Sequence, residues 1–384
     1  MPPTVPSLSL VENLDLVVRL LVVAPAYGLT RFITSIPKAL RRGIPLSLLG
    51  ISTVCFTFLA CLSPRQIQTV APNSQRAYAS WIKSKVKAQR KPGASTQLCR
   101  LKHDIEELEE TGGSIMWVGD RATASKFVLF FHGGGYVMCA SDGHLEWCWN
   151  AYVLGGPGEK HNVAVGVMEY TLCPVATYPQ QLRQGCAALR TLLERGIRPS
   201  DIMIGGDSAG GSLTVQMLRH LVDPHPCVEP LGNRLGDEPL AATFIVSAPF
   251  SGWTDTVSYR ENTLDMLSGP VINVLTKRFL VPGNVTPPLT MEEIRGLAFP
   301  LEGDLSWLGR IHKASRAIYL TAGDEEVFRD HICEFVEALQ ARSQSVDVKF
   351  DLFSKHIHDS HLIEGFFGTG PAITAMAAWA KGIF

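Results

Sequence analysis

The sequence predicts an α/β fold in which a mainly parallel central sheet is covered by helices on both faces. Short apolar segments alternate with amphipathic helical segments over residues 127–383, and this alternation is typical of strands joined by helical crossovers. The predicted strands are 127–131, 163–167, 202–205, 243–247, 317–321 and 346–352, and the predicted helices are 180–194, 212–221, 331–341 and 372–383. In such sheets ligands bind beyond the carboxyl ends of the strands, so we expect functional residues in the loops that follow them.

Residues 202–212, with the sequence IMIGGDSAGGS, indicate a strand, a sharp turn and a helix with Ser208 at the apex of the turn. Gly206 and Gly210 stand two positions to either side, where a side chain would collide with the neighbouring strand and helix. The turn would expose the serine Oγ above a helix N-terminus, which favours developing negative charge. Ser208 is therefore the predicted nucleophile. Asp207 beside it is interpreted as a hydrogen-bonding group and not as a catalyst.

A second glycine-rich segment, FHGGGY at residues 131–136, follows the predicted strand 127–131. Successive glycines leave backbone N–H groups free to point into a cavity. Gly133 and Gly134 are therefore predicted to donate to an oxyanion together with the N–H of Ala209. We expect His132 to brace this loop and not to carry protons.

These two motifs resemble those of the hormone-sensitive-lipase group of α/β-hydrolases, which includes arylacetamide deacetylases and fungal steryl deacetylases. Residues 170–174, YTLCP, resemble the Tyr-x-x-x-Pro segment of that group, and the likeness covers about residues 98–384. The resemblance implies an α/β-hydrolase fold and a serine hydrolase of carboxylic esters. The expected substrates are short-acyl, above all acetyl, esters of a hydrophobic small molecule, with no cofactor or metal.

The acid of a catalytic triad should follow the strand 317–321. Residues 322–330, AGDEEVFRD, resemble the segment of the group that carries the acid ahead of an Arg-Asp pair. Asp324 is the first choice and Glu325 is the alternative. Members of the group usually place the acid four or five positions before the final aspartate, whereas Asp324 lies six before Asp330, so we infer an extra residue here.

The base should follow the strand 346–352, where the loop contains His356, His358 and His361. The His-Asp pair of the group matches His358 and the residue after it, so His358 is the predicted base. The other two histidines are expected on the loop or the rim of the site. Three imidazoles also suit a metal, but this loop lacks a helical or finger-type spacing.

Two other functions share these motifs. The same triad can serve an amidase, a formamidase or an acyltransferase, which only the products distinguish. The fold also resembles that of a non-catalytic ligand receptor, the plant gibberellin receptor, but that resemblance involves loss of the catalytic histidine, which His358 supplies here.

Length and composition predict an apolar N-terminal extension at residues 1–66 and a catalytic domain at 67–384, with a cap insert around 255–308. The 384 residues carry 35 basic and 36 acidic side chains, for a net charge of −1, which argues against a nucleic-acid partner. The oligomeric state stays open.

The extension contains 19 uncharged residues at 44–62, close to the ~20 that cross a bilayer as a helix. One interpretation is a membrane span, which implies a membrane-associated protein, with the endoplasmic reticulum as the expected location. The other is a cap helix over the active site, as the resemblance implies, in a cytoplasmic protein. Residues 14–27 suit an interfacial helix better than a span, because a charge and a proline interrupt them.

Overall fold

The computed structural model describes residues 7–88, 101–155, 157, 161–231, 238–281, 286–343 and 345–384, and within them one eight-stranded sheet forms the centre of the molecule. The strands are β1 (Ile105–Leu108), β2 (Gly113–Val118), β3 (Lys126–Phe131), β4 (Val163–Glu169), β5 (Ile202–Asp207), β6 (Ala242–Val246), β7 (Ala317–Gly323) and β8 (Asp347–Phe353). Their order in the sheet is β1-β2-β4-β3-β5-β6-β7-β8. The β1–β2 and β2–β4 pairs are antiparallel, and every other pair is parallel. The α/β-hydrolase fold expected from the sequence is confirmed.

Helices precede the sheet and cover both of its faces. They are α1 (Leu10–Val18), α2 (Ala24–Arg42), α3 (Leu46–Cys61), α4 (Pro64–Val70), α5 (Ser74–Ala88), α6 (Asp142–Cys148), α7 (Gln180–Glu194), α8 (Ser208–Val222), α9 (Val257–Glu261), α10 (Gly269–Phe279), α11 (Met291–Ala298), α12 (Arg329–Arg342), α13 (Ser360–Phe366) and α14 (Pro371–Ile383). A π-helical turn, Arg19–Val23, joins α1 to α2, and another, Trp149–Leu154, follows α6. Helices α9 to α11 lie in the predicted cap insert.

All six predicted strands are present, each with bounds within two residues of the prediction. The four predicted helices correspond to α7, α8, α12 and α14. Strands β1 and β2, which were not predicted, form the antiparallel edge of the sheet. Strand β5 lies between β3 and β6, so the turn after it is central to the carboxyl edge of the sheet.

Residues 44–62, the candidate membrane span, contain the 16-residue helix α3 (Leu46–Cys61), and several of its side chains are buried in the protein. Leu49 and Phe56 are buried, and the hydroxyl of Ser52 donates a hydrogen bond to the Leu264 carbonyl at 2.5 Å. A helix that is apolar on most sides can be buried in protein as well as in lipid. The burial of these side chains in protein favours the cap-helix interpretation of the segment.

Candidate active site

Ser208 is the first residue of α8 and has a left-handed backbone, with φ of 49°. Such a conformation is strained for a residue with a side chain, and it persists only where the surroundings hold it. Here a Cβ on Gly206 would lie 2.1 Å from the Phe131 carbonyl oxygen, and a Cβ on Gly210 would lie 1.9 Å from it. The two glycines therefore let β5 and α8 approach β3 closely enough to form the turn.

The loop after β8 brings His358 to the serine, although the two residues are 150 positions apart in sequence. The His358 Nε2 atom lies 2.9 Å from the Ser208 Oγ, which is hydrogen-bonding distance. The ring of Phe328 meets the imidazole edge-on, with ring centres 5.1 Å apart. His358 is only 3% exposed. The structure thus brings together the predicted nucleophile and the predicted base.

The carboxylate beside the imidazole is that of Glu326, and neither of the residues chosen from sequence lies there. The Glu326 Oε2 atom is 3.4 Å from the His358 Nδ1, within ion-pair range but longer than a well-formed hydrogen bond. The choice of Asp324 is corrected because its carboxylate accepts a hydrogen bond from the Lys355 N–H at 2.7 Å. The alternative, Glu325, instead forms an ion pair with Arg42 of α2.

Sequence spacing contained the signal for Glu326. It lies four positions before Asp330, the spacing that the resemblance gives for the acid. The sequence analysis instead chose Asp324, six positions before Asp330, and inferred an extra residue to explain the longer spacing. Glu326 is fully buried, and burial raises the pKa of its carboxyl group to about 8. The Ser247 hydroxyl and the Gly323 backbone lower this pKa and so partly offset the effect of burial.

A second buried carboxylate, Asp265, was not predicted from the sequence. Its Oδ1 accepts hydrogen bonds from the backbone N–H of His358 at 2.9 Å and of Met266 at 2.7 Å, and its Oδ2 accepts one from the Val327 N–H at 2.8 Å. Asp265 therefore links the histidine loop to the loop that carries Glu326. Burial raises its pKa to about 7; His358 opposes that rise and Glu326 adds to it.

The glycine loop lies beside the serine, but Gly133 is turned away from the cavity. A Cβ built on it would lie 2.1 Å from the Asp207 Oδ2, so this glycine faces the Asp207 carboxylate. The cavity is bordered instead by Gly134, Gly135 and Ala209. The predicted role of Gly133 is therefore corrected, because it lies against Asp207 and is not among the residues that border the cavity.

His132 is buried beneath the loop, as the sequence interpretation expects. Its ring stacks on Tyr170 with ring centres 4.3 Å apart, and the Tyr170 hydroxyl donates to the His132 carbonyl at 2.6 Å. Burial lowers the pKa of His132 to about 3, so the imidazole is neutral near pH 7. A neutral, stacked ring braces the loop and carries no proton to the site.

The other two histidines of the 354–361 loop point elsewhere. The His356 Nε2 lies 3.8 Å from a Glu364 oxygen, and the ring of His361 packs on Trp147 with centres 5.0 Å apart. Across the described part of the chain, no group of three or more His, Cys, Asp or Glu side chains is arranged to hold a metal ion.

Ser208 opens into a cavity of about 200 Å³. Its walls are mostly apolar and come from the cap segments as well as the α/β domain. The apolar lining side chains include Leu59, Met138, Met266, Leu267, Ile272, Leu275, Phe279, Phe299, Phe328, Leu362 and Phe366. Cys55 of α3 also lines it, and burial raises the pKa of its thiol to about 11, so the thiol stays protonated. Such a site suits an apolar ligand with few polar groups.

Helices α1 and α2 and the π-helical turn between them form one 33-residue helix, Leu10–Arg42, long and apolar enough to cross a membrane by length and composition. Only 6% of its most apolar 18-residue window is buried. The sequence interpretation placed the span at 44–62; the structure places the long exposed apolar helix before it.

The sequence profile of the alpha/beta hydrolase fold family matches residues 128–362, more than half of the chain, so the chain belongs to that family. It is similar to an acetyl-hydrolase of Streptomyces hygroscopicus, 25% identical over 254 residues, which span 64% of this chain and 71% of the relative. It is also similar to arylacetamide deacetylase-like 2 of Homo sapiens, 33% identical over 108 residues, 26% of this chain and 25% of that protein.

Among solved structures, a variant of the esterase rPPE superposes with a TM-score of 0.63 at 17% identity, covering 88% of this chain and 96% of that one. The esterase EstE5 superposes with a TM-score of 0.57 at 20% identity, covering 88% and 97%. These likenesses show the fold. Together, the family and its curated relatives identify the chain as a carboxylic ester hydrolase of the hormone-sensitive-lipase group.

Proposed function

We propose that the protein hydrolyses short-acyl esters of a hydrophobic small molecule through an acyl-enzyme on Ser208. His358 is the general base, Glu326 is the acid that orients it, and the N–H groups of Gly134, Gly135 and Ala209 receive the oxyanion. The observation that carries the proposal is the 2.9 Å contact between the His358 Nε2 and the Ser208 Oγ.

A serine hydroxyl is a weak nucleophile near pH 7, so it needs a base to remove its proton as it attacks. In the proposed reaction His358 takes that proton while the Ser208 Oγ adds to the ester carbonyl carbon. The carbonyl electrons move onto oxygen, where backbone N–H groups beside the α8 N-terminus stabilise the charge. The imidazolium then protonates the leaving alcohol. Water, activated by the same imidazole, releases the carboxylic acid and frees the serine.

The buried carboxylate of Glu326 supports this cycle from the Nδ1 side of the ring, 3.4 Å away. A carboxylate in that position holds the tautomer that presents a lone pair on Nε2 to the serine, and it stabilises the imidazolium. Burial raises the pKa of the Glu326 carboxyl group to about 8 and so opposes its charged form. Formation of the imidazolium 3.4 Å away favours the charged form during the reaction.

The cavity supports the choice of substrate. Its apolar walls favour an apolar alcohol or acyl group, and its volume of about 200 Å³ limits what it holds. The similarity to an acetyl-hydrolase and to an ethyl acetate hydrolase of Pseudomonas putida, 33% identical over 106 residues, 27% of this chain and 31% of that protein, favours the acetyl group.

The test is the hydrolysis of p-nitrophenyl esters from acetyl to dodecanoyl by the purified chain. We expect the highest kcat/KM with the shortest acyl groups. Ser208→Ala should abolish turnover with the fold intact. His358→Ala should nearly abolish it, while the neighbouring His356→Ala should leave it close to that of the unsubstituted chain. Turnover that survives Ser208→Ala, or that only His356→Ala removes, would refute the proposal.

We also propose that the helix Leu10–Arg42 associates with a lipid surface. Its polar side chains bond to the protein: Asp15 accepts from Gln66 at 2.8 Å, and Arg19 donates to the Cys61 carbonyl at 2.6 Å. Many of its apolar side chains are exposed, among them Leu10 at 89% and Leu21 at 72%, although Leu16 is buried. This is the reverse of a helix on a water-soluble domain, whose apolar face is buried.

Flotation of the full chain with phosphatidylcholine vesicles tests the association. We expect the chain to float, and Leu14→Asp with Leu21→Asp to abolish flotation without loss of ester hydrolysis. Val274→Asp, at a half-exposed position of α10, is the matched control and should float. Flotation that is equal for all three proteins, or absent for the unsubstituted chain, would contradict the proposal.

A further inference from the structure

Two buried aspartates stand next to the two reacting residues and contact each other. Asp207 precedes Ser208 in the chain, and Asp359 follows His358. The side chains of Asp207 and Asp359 interact with each other, and both are almost completely buried. This contact links the turn that carries the nucleophile to the loop that carries the base.

A hydrogen bond between two carboxyl groups requires a proton on one of them, since a carboxylate only accepts. The partners identify which one. Ser141 N–H donates to the His144 Nδ1 at 3.1 Å, so the ring proton of His144 is on Nε2, which faces the Asp207 Oδ2 at 3.2 Å. The backbone of Gly133, which lies beside the carboxyl group, lowers the pKa of Asp207. Both neighbours favour the charged form of Asp207, so we assign Asp207 as the carboxylate of the pair.

We propose that Asp359 carries a proton that it donates to the Asp207 carboxylate, and that this bond is a positioning device which holds Ser208 and His358 at reacting distance. It rests on the proposed roles of those two residues. Neither aspartate touches the substrate in this scheme. Each acts through its neighbour in the chain.

Backbone geometry explains why such a bond is needed. Ser208 and Asp359 both have left-handed backbones, with φ of 49° and 59°. These conformations persist only if surrounding contacts over-determine them. At Asp359 the backbone N–H donates to the Ser247 hydroxyl at 3.2 Å, and the side chain bonds to Asp207. Without the bond between Asp359 and Asp207, the main connection between the histidine loop and the serine turn would be the contact between His358 and Ser208.

The groups around Asp207 carry no charge that could offset a second negative charge, so the proton shared with Asp359 matters. Asp207 faces His144 and Cys148 of α6 and Tyr170 after β4. Burial raises the pKa values of the thiol and the phenol and lowers that of His144 to about 4, so these groups are neutral near pH 7.

Asp359 faces Asp207, His144, His358 and Cys55 of α3. Burial, and then the charge of Asp207, raise the pKa of Asp359 well above its ordinary value. Loss of the proton at alkaline pH would leave two adjacent buried negative charges, which is a costly arrangement in the protein interior. We therefore expect the pair to separate and the Ser208–His358 contact to lengthen.

Two substitutions at residue 359 separate the hydrogen bond from the backbone. Asp359→Asn keeps a donor toward Asp207 and tolerates a left-handed backbone. Asp359→Gly tolerates the same backbone but has no donor. We expect Asp359→Gly to lower kcat about 100-fold, the effect of a misplacement near 1 Å, with little change in KM. Asp359→Asn should restore most of that loss. Asp347→Asn, on exposed β8, is the matched control and should behave as the unsubstituted chain.

The pH dependence separates positioning from simple structural support. In the unsubstituted chain kcat should fall at alkaline pH as the proton leaves, whereas Asp359→Asn has no such proton and should keep its kcat to higher pH. The proposal is overturned if Asp359→Asn is as impaired as Asp359→Gly, if Asp359→Gly is fully active, or if Asp359→Asn shows the same alkaline decline as the unsubstituted chain.

Thermal unfolding decides the question independently of activity. A carboxyl group with a raised pKa in the folded state binds its proton where the unfolded chain has lost it, so it lowers stability as pH rises. The Tm of the unsubstituted chain should therefore fall relative to that of Asp359→Asn between acidic and alkaline pH, and parallel curves would overturn the proposal. If the unsubstituted chain hydrolyses no ester, the proposed function fails, and this comparison still tests the carboxyl pair.

Discussion

Replacement of Glu326 by glutamine tests the acid of the triad. The carboxylate lies 3.4 Å from the His358 Nδ1 and is fully buried, so its charge acts on the imidazolium with little screening. At an effective dielectric constant of about 20, two unit charges at that distance attract by about 5 kcal/mol. Since each ~1.4 kcal/mol of barrier is tenfold in rate, we expect kcat to fall by about 10³- to 10⁴-fold.

The assay is steady-state hydrolysis of p-nitrophenyl acetate near neutral pH, with circular dichroism to show that the fold is retained. Glutamine has the same shape as glutamate but no negative charge, so KM should change little. The two acidic neighbours provide matched controls: Asp324→Asn and Glu325→Gln remove a charge from the same turn without touching the imidazole. A large loss of kcat in Asp324→Asn, with Glu326→Gln nearly unaffected, would refute the assignment and restore the first choice from sequence.

Three further predictions concern the fold and the cavity. Gly210→Ala should yield no folded protein, because its Cβ would lie 1.9 Å from the Phe131 carbonyl oxygen, whereas Gly382→Ala, with open space at its Cβ, should gain up to about 1 kcal/mol of helix stability. Phe279→Ala should raise kcat/KM for longer acyl chains relative to acetyl, at a cost of about 3–5 kcal/mol in unfolding free energy. Burial lowers the pKa of His361 to about 4, so the folded chain binds a proton there less readily than the unfolded chain does. The free energy of unfolding should therefore fall as pH decreases from about 6.5 toward 4, by up to about 1.4 kcal/mol per pH unit. His361→Gln should not show this pH-dependent loss.

Soluble expression with urea unfolding checks the two glycine variants, and folded Gly210→Ala would contradict the close approach at the turn. Acyl-chain profiling checks Phe279→Ala, and an unchanged preference would show that this ring does not limit the pocket. For His361, the difference in unfolding free energy between the two proteins is followed against pH. A constant difference would mean that the imidazole has the same pKa in the folded and the unfolded chain.

Most of the sheet could be predicted from the sequence because its central strands are buried on both faces and therefore appear as short apolar runs. Strands β1 and β2 were missed for the opposite reason. β1, Ile105–Leu108, contains two glutamates and only one of its residues is fully buried, so no apolar run marks this antiparallel edge. Hydropathy also could not distinguish the two environments of an apolar helix: α3 is buried against protein, while Leu10–Arg42 is exposed.

Site residues could be predicted from the sequence where a turn requires particular residue types. Glycines flanking a serine identified Ser208, and the resemblance to the His-Asp pair of the hormone-sensitive-lipase group selected His358 among the three histidines after a strand. The acid was not fixed in this way, because three acidic residues stand side by side at 324–326 and the path of the turn decides which one faces the imidazole. Asp265 has no motif, since it acts by accepting backbone N–H groups from distant loops.

The most direct test of the central claim is mass spectrometry of the chain during reaction with p-nitrophenyl acetate, quenched by acid before steady state. We predict one acetyl group on the peptide that contains Ser208, and none on the same peptide from Ser208→Ala. Acetylation at another residue with Ser208 unmodified, or ester hydrolysis by Ser208→Ala, would contradict the account.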